Sequence, residues 1–143
     1  MTLHLIKLCV GIETLSDLAA WQSRRLKEKK RDGETQELIH VTRHAPRRAA
    51  EILDGGSLYW VIKGWVSARQ RLLEFRPVMK NGIAHCALVY DKELVAVEPR
   101  AHRAFQGWRY LDPKDAPPDM AIWTKGADLP DALRRELISL GLL

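Results

Sequence analysis

Lys63, Trp65, Arg69 and Arg71 fall on alternate positions of one short stretch, "KGWVSARQR", with Ser67 between them. On a β-strand, alternate side chains share a face, so Trp65, Ser67, Arg69 and Arg71 are expected to stand together. Arg103, Trp108 and Arg109 repeat the combination of cation and flat ring in "RAFQGWR". Guanidinium and ammonium groups neutralise phosphates, and aromatic rings stack on unpaired bases. The chemistry these residues suggest is non-catalytic binding of RNA or of a modified nucleotide, through a surface formed by residues 63–71 and 100–109, without cofactor or metal. Tryptophan, tyrosine and arginine are equally what protein interfaces favour, so a protein-interaction module is the competing class.

Charge is distributed to match. The net charge of the chain is +5, and the stretch from 57 to 111 carries an excess of that size together with eight of the ten aromatic residues. Trp60, Phe75 and Trp108 could instead be ordinary core residues. "RRLKEKKR" at 24–31 is a second cationic run; as the end of a helix it suits a solvated face, since cations are favoured there, with phosphate contact or a membrane surface as alternatives. Cys9 and Cys86 have no CxxC spacing and read as small buried hydrophobes rather than as a disulfide or a nucleophile partnered by His40 or His85. His40 and His44, on a strand-to-loop segment, do not share a face as metal ligands would.

The elements that must position these residues follow from periodicity. Residues 2–9 alternate as a strand, with Leu3, Leu5 and, weakly, Lys7 on the buried side. Thr14 or Ser16 caps a helix that runs to about Arg31, with Leu15, Leu18, Ala19, Gln22 and Leu26 as its stripe. A strand at 37–43 precedes a short helix entered at Pro46 and stopped by Gly55 and Gly56. Residues 57–63 are a strand, Gly64 is a bend or bulge, and 65–76, which also fits a helical period, is assigned as strand. Asn81-Gly82 turns the chain back as "AHCALVY". "ELVAV" at 93–97 is a strand ended by Pro99, 100–108 is a loop, and "DPKDAPPD" is a surface linker. A short strand at 121–124 and a closing helix from about Pro130, bearing Leu129, Leu133, Leu137 and Leu140 and stopped by Gly141, complete the reading.

Three stretches, "MTLHLIKLCVG", "HVTRHAPRRAAEILDGGSLYWVIKG" and "FQGWRYL", resemble an uncharacterised bacterial family, a conserved domain of unknown function, over nearly the whole chain. The short helix ending in "ILDGG" before long strands and a hairpin is also similar to PUA-like domains, including the ASCH branch, over roughly 37–97. That second resemblance implies an α+β fold, a small mixed or antiparallel β-barrel with about three flanking helices, and binding of RNA or modified bases. Some ASCH-type proteins are amidohydrolases acting on modified nucleosides through a threonine, a lysine and an acid; Thr42, Lys63 and Glu74 stand in comparable places and are the catalytic candidates of that alternative. The length suits one domain over 1–143. With no long apolar run and no basic start leading into one, the expectation is a cytoplasmic protein without a membrane span.

Overall fold

The computed structural model describes residues 2–120; the expected strand at 121–124 and the closing helix lie outside them. In chain order the elements are β1 (His4–Leu8), α1 (Leu15–Arg31), β2 (Leu38–Thr42), α2 (Ala49–Leu53), β3 (Ser57–Ile62), β4 (Trp65–Lys80), β5 (Ile83–Tyr90), β6 (Val95–Ala101) and β7 (Trp108–Leu111), with a 3-10 turn at Pro113–Asp115. The strands form one mixed sheet in the order β2-β5-β4-β3-β1-β7, with β6 also paired to β4. Only β1 with β3 is parallel among these pairings. The fold is α+β.

The 16-residue strand β4 organises the sheet. Its first part, to Arg71, pairs with β3 and β6, and from Leu72 onward it pairs with β5. The sheet curls strongly enough that Trp60 on β3 makes edge contacts with Tyr90 on β5 and His40 on β2, at 5.7 and 6.1 Å between ring centres. The expected barrel does not close, however: β2 and β7 end the ladder without pairing to each other. Side chains span the gap instead. Trp108 Nε1 donates to the His44 carbonyl at 2.9 Å, and Tyr110 Oη accepts from the Arg47 and Arg48 N–H groups. Pro46, which has no N–H to give, sits in the segment that a closing ladder would have to use.

Local signals explain most elements. Thr14 caps α1, its hydroxyl accepting from the Asp17 N–H at 3.0 Å, and Leu15, Leu18, Ala19 and Gln22 are buried as the stripe requires. Both tight hairpins use two residues with positive φ, Lys63-Gly64 (52° and 81°) and Asn81-Gly82 (52° and 75°), as the twist of a right-handed ribbon demands. Gly64 is therefore half of a turn, not a bulge.

The bulge is at Ser67. Trp60 faces Ala68 while the next residue, Val61, faces Val66, so Ser67 is the extra residue. Opposed residues in an antiparallel pair project to the same side. The bulge thus reverses the alternation: Val66 joins Val61 in one apolar cluster and Ala68 joins Trp60 in the other.

Three other expectations are corrected. β6 continues through Pro99, which occupies the irregular stretch where the register with β4 slips and no ladder N–H is needed. Residues 108–111 form β7, although its strand pattern is short and mixed with charge. Pro46 precedes α2 rather than occupying its first turn, and α1 and α2 are the two of the three expected helices that fall among the described residues.

The larger cluster lies between the sheet and the helices, around Leu5, Leu15, Leu18, Ile52, Leu58, Ile62 and Leu88. The smaller one, on the opposite face, joins Ile6, Tyr59, Val61, Val66, Val97 and Leu111. Gly56 sits where α2 meets β3, and a Cβ there would lie 2.2 Å from the Leu3 carbonyl oxygen and 2.4 Å from that of Ile52. Gly11 has φ +81° but open space around it. We expect Gly56→Ala to cost about 3 kcal/mol or more, or to prevent folding, and Gly11→Ala to cost about 1 kcal/mol, measured by urea denaturation. Equal effects would show that the crowding at Gly56 does not govern.

Candidate functional site

The seven residues expected to form one binding face do not share one. Trp65 is opposite Ile62, whereas Arg69 and Arg71 are opposite Tyr59 and Ser57, so the Ser67 bulge sends the ring to one side of β4 and the two guanidiniums to the other. Arg69 is engaged: its Nε and Nη2 donate to both carboxylate oxygens of Asp119 at 2.7 Å, and its Nη1 to Ser57 Oγ at 3.1 Å. Lys63 is ion-paired with Glu13. Arg109 covers the Phe105 ring, and Trp108 packs half-buried against the larger cluster. Arg71 and Arg103 are exposed.

A loose grouping does survive at one end of the sheet. The His102 N–H donates to the Gly64 carbonyl and Trp65 pairs with Ala101, which brings the 63–65 turn beside the start of the 102–107 loop. Arg100 and Arg109, with His102, Asp112 and Asp115, line a hollow of about 380 Å³ there. Acid and base are mixed in it.

Thr42, Lys63 and Glu74 are not assembled. Thr42 ends β2 with its hydroxyl donated to the His44 carbonyl, Lys63 is in the β3–β4 turn, and Glu74 lies far along β4, bonded to Arg76. Cys9 and Cys86 are free thiols, and burial pushes Cys9 up to about 12, away from nucleophilic use. Among the described residues no group of three or more His, Cys, Asp or Glu side chains could hold a metal ion, and no helix is long and apolar enough to cross a membrane.

The better-formed site is a cavity of about 300 Å³ between the end of β1, the start of α1, and β2, β3 and β5. Its walls are Trp60, Tyr90, Leu18, Ile12 and residues 8–11, with Trp21, 40% exposed on α1, also lining it. Trp60 is held rigidly, because its Nε1 donates to Gln70 Oε1 at 2.8 Å. Two polar groups converge on the cavity, Lys7 from β1 and His40 from β2.

Neither makes a side-chain hydrogen bond or an ion pair among the described residues. Burial lowers the Lys7 amine, and burial followed by the Lys7 charge lowers His40 to about 4. Neutral His40 thus presents one donor and one acceptor nitrogen, and Lys7 presents its amine, inside an aromatic enclosure.

Sequence reasoning weighed His40 as a thiol partner or metal ligand and Lys7 as part of a strand pattern, and took neither as a binding residue. The usable signal was Lys7 itself, a lysine on the buried side of an apolar strand beside Leu3 and Leu5, together with the histidine inside "LIHVT".

Residues 5–143 match the family model described as a protein of unknown function (DUF1489), and the chain belongs to that family. No curated protein and no solved structure matches it.

The His40 geometry sets a pH dependence. An ordinary histidine titrates near 6.5 and this one near 4, so below pH 6.5 the unfolded chain takes up a proton that the folded chain refuses. Stability should fall as pH drops from 6.5 to 4. The half-buried ring limits the loss to about 1 to 2 kcal/mol. His4, also lowered by burial and then by Arg69, acts with the same sign, so the measurement is the difference between wild type and His40→Gln in urea midpoints across that window. Parallel curves would contradict the burial of a neutral ring.

Proposed function

We propose that this protein is a non-catalytic, PUA-like nucleotide-binding domain that takes a planar base, from RNA or a modified nucleotide, into the cavity between β1, α1 and β2. The observation that carries this reading is the convergence of Lys7 and His40, without side-chain hydrogen bonds or ion pairs among the described residues, inside walls made by Trp60, Tyr90 and Trp21. Ligand sites are mostly apolar clefts with a few convergent polar groups, and partly desolvated polar groups left without a hydrogen bond are rare elsewhere. The volume, at the small end of the ligand-site range, suits one base or nucleoside rather than a length of strand. Trp21 and Trp60 supply flat surface for stacking, His40 a donor and acceptor for a base edge, and Lys7 a donor for a carbonyl or phosphate oxygen.

The curled sheet, the "EILDGG" turn and the order of short helix, long strands and hairpin from α2 to β5 support a PUA-like kinship, from which the long α1 after β1 departs. The exposed cations Arg71 and Arg103 are then accessory, able to add salt-dependent attraction for a polynucleotide. The amidohydrolase alternative finds no assembled Thr42, Lys63 and Glu74 set. A protein-interaction role would predict partners that survive nuclease treatment.

Titration of nucleosides, nucleoside monophosphates and short RNAs against tryptophan fluorescence, at two salt concentrations, tests the reading. Saturable quenching by at least one nucleotide is expected. Lys7→Met should weaken it by about tenfold or more, as loss of a charge-assisted hydrogen bond does, and Trp21→Ala by a similar factor through lost stacking. Arg103→Ala should weaken only the RNA arm, and only at low salt. Absence of binding across the panel, or binding indifferent to both Lys7→Met and Trp21→Ala, overturns the proposal.

A further inference from the structure

We infer that Lys7 is a nucleophile that captures an aldehyde borne on a planar ring, forming a reversible imine inside the cavity between β1, α1 and β2. This deepens the binding role proposed above by naming a ligand class, and it rests on that cavity being the ligand site.

Consider how the lysines of the described chain are occupied. Lys29, buried at 8% exposure, has a fixed use: its Nζ donates to the Glu37 carbonyl at 2.7 Å, with the Glu37 and Glu34 carboxylates bearing on it. Lys63 is paired with Glu13. Lys7 is half-buried, yet the group of opposite tendency that bears on it is the Cys9 thiol, which burial keeps protonated. A lysine desolvated in an apolar pocket, with no carboxylate to hold it as ammonium, is the arrangement that makes an amine nucleophilic. Around it are flat walls, Trp60 and Tyr90, that would hold an aromatic aldehyde with its carbonyl toward the amine.

The step balances without any redox partner. The Lys7 nitrogen lone pair forms a bond to the carbonyl carbon, and the carbonyl π pair moves onto oxygen. A proton leaves nitrogen for that oxygen, giving a carbinolamine; a second transfer releases the oxygen as water and leaves a C=N bond. His40 lines the same cavity, close enough for the Lys7 charge to bear on it, and its neutral ring offers an acceptor and a donor for the two transfers.

Among covalently modified nucleosides, a base carrying a formyl group fits this description. Such a ligand presents a flat ring for the aromatic walls and an aldehyde for the amine.

The test uses the intact protein with borohydride, which reduces an imine to a stable amine, and peptide mass spectrometry to locate the adduct. With isonicotinaldehyde at limiting concentration and neutral pH, Lys7 should be labelled about tenfold faster than Lys29 or any exposed lysine, as expected where a larger share of the amine is unprotonated. Cytidine formylated on the base should be trapped at Lys7, and cytidine should not. His40→Gln should slow the labelling by about tenfold without moving it to other lysines; an unchanged rate removes His40 as the relay. Labelling spread evenly over the lysines, or a Lys7 that stays unmodified, overturns the inference. If Lys7 is labelled but nucleoside monophosphates neither protect it nor bind, the imine chemistry stands and the nucleotide reading is the one that fails.

Discussion

A pair of buried glutamines holds the architecture in register. Gln22 of α1 and Gln70 of β4 exchange amide hydrogen bonds in both directions at 2.8 Å, and Gln70 also accepts from Trp60 Nε1 and donates to the Asp91 carbonyl. All four hydrogen-bonding positions of the Gln70 amide are therefore used, at a site with 0% exposure. Apolar packing alone would let α1 slide along the sheet with little change in buried area. The reciprocal amide pair admits one position, since any slip would leave polar groups buried and unpaired. By fixing α1 and the Trp60 indole together, it also fixes two walls of the cavity that Lys7 and His40 enter.

The Ser67 bulge has the opposite kind of consequence, dividing rather than joining. With regular alternation Val66 and Ala68 would lie on one face, and Trp65 would stand with Arg69 and Arg71. The extra residue assigns Ala68, Gln70 and Leu72 to the helix-covered side and leaves Val66, Arg69 and Arg71 on the other. There Arg69 reaches Asp119 and Ser57, and the bridge between Val97 and Asp119 anchors the 112–120 segment across the smaller cluster. The cation most central to the sequence-derived binding face is thus a fastening for a proline-rich strap.

How much of this could be read in the sequence depended on the range of the forces involved. Thr14 as cap, Asn81-Gly82 as turn and the apolar stripe of α1 express local preferences, and the structure has them where the residues put them. Gln70 looked like a defect in the strand period because its partners are 48 residues away on α1 and 21 away at Asp91. β7 could not be read, since "WRYL" has no strong alternation and is extended because β1 offers it a free edge. Pro99 looked like a terminator because the slip in register that tolerates it arises only in the pairing of β6 with β4. The candidate site was missed for the same reason: Lys7, His40, Trp60 and Tyr90 come from four strands, and only the curl of the sheet brings them together.

The character of that cavity is clearest against the rest of the molecule. Buried Gln70 is completely satisfied, Lys29 has its carbonyl, and Arg69 and Arg76 have carboxylates. A chain able to complete those interactions leaves two polar groups without a side-chain hydrogen bond among the described residues in one aromatic enclosure, where burial disfavours the charged form of both and the Lys7 charge further disfavours that of His40. Packing would have been better served by leucine at either position, because a desolvated polar group costs on the order of 1 to 3 kcal/mol when it stays unpaired. Departures from local rules of this size concentrate where a ligand completes what the protein omits. On the proposed reading, the planar walls, the small volume and the donors on offer suit a ligand that is flat, able to accept hydrogen bonds at one edge, and carrying either negative charge or an electrophilic carbonyl toward Lys7.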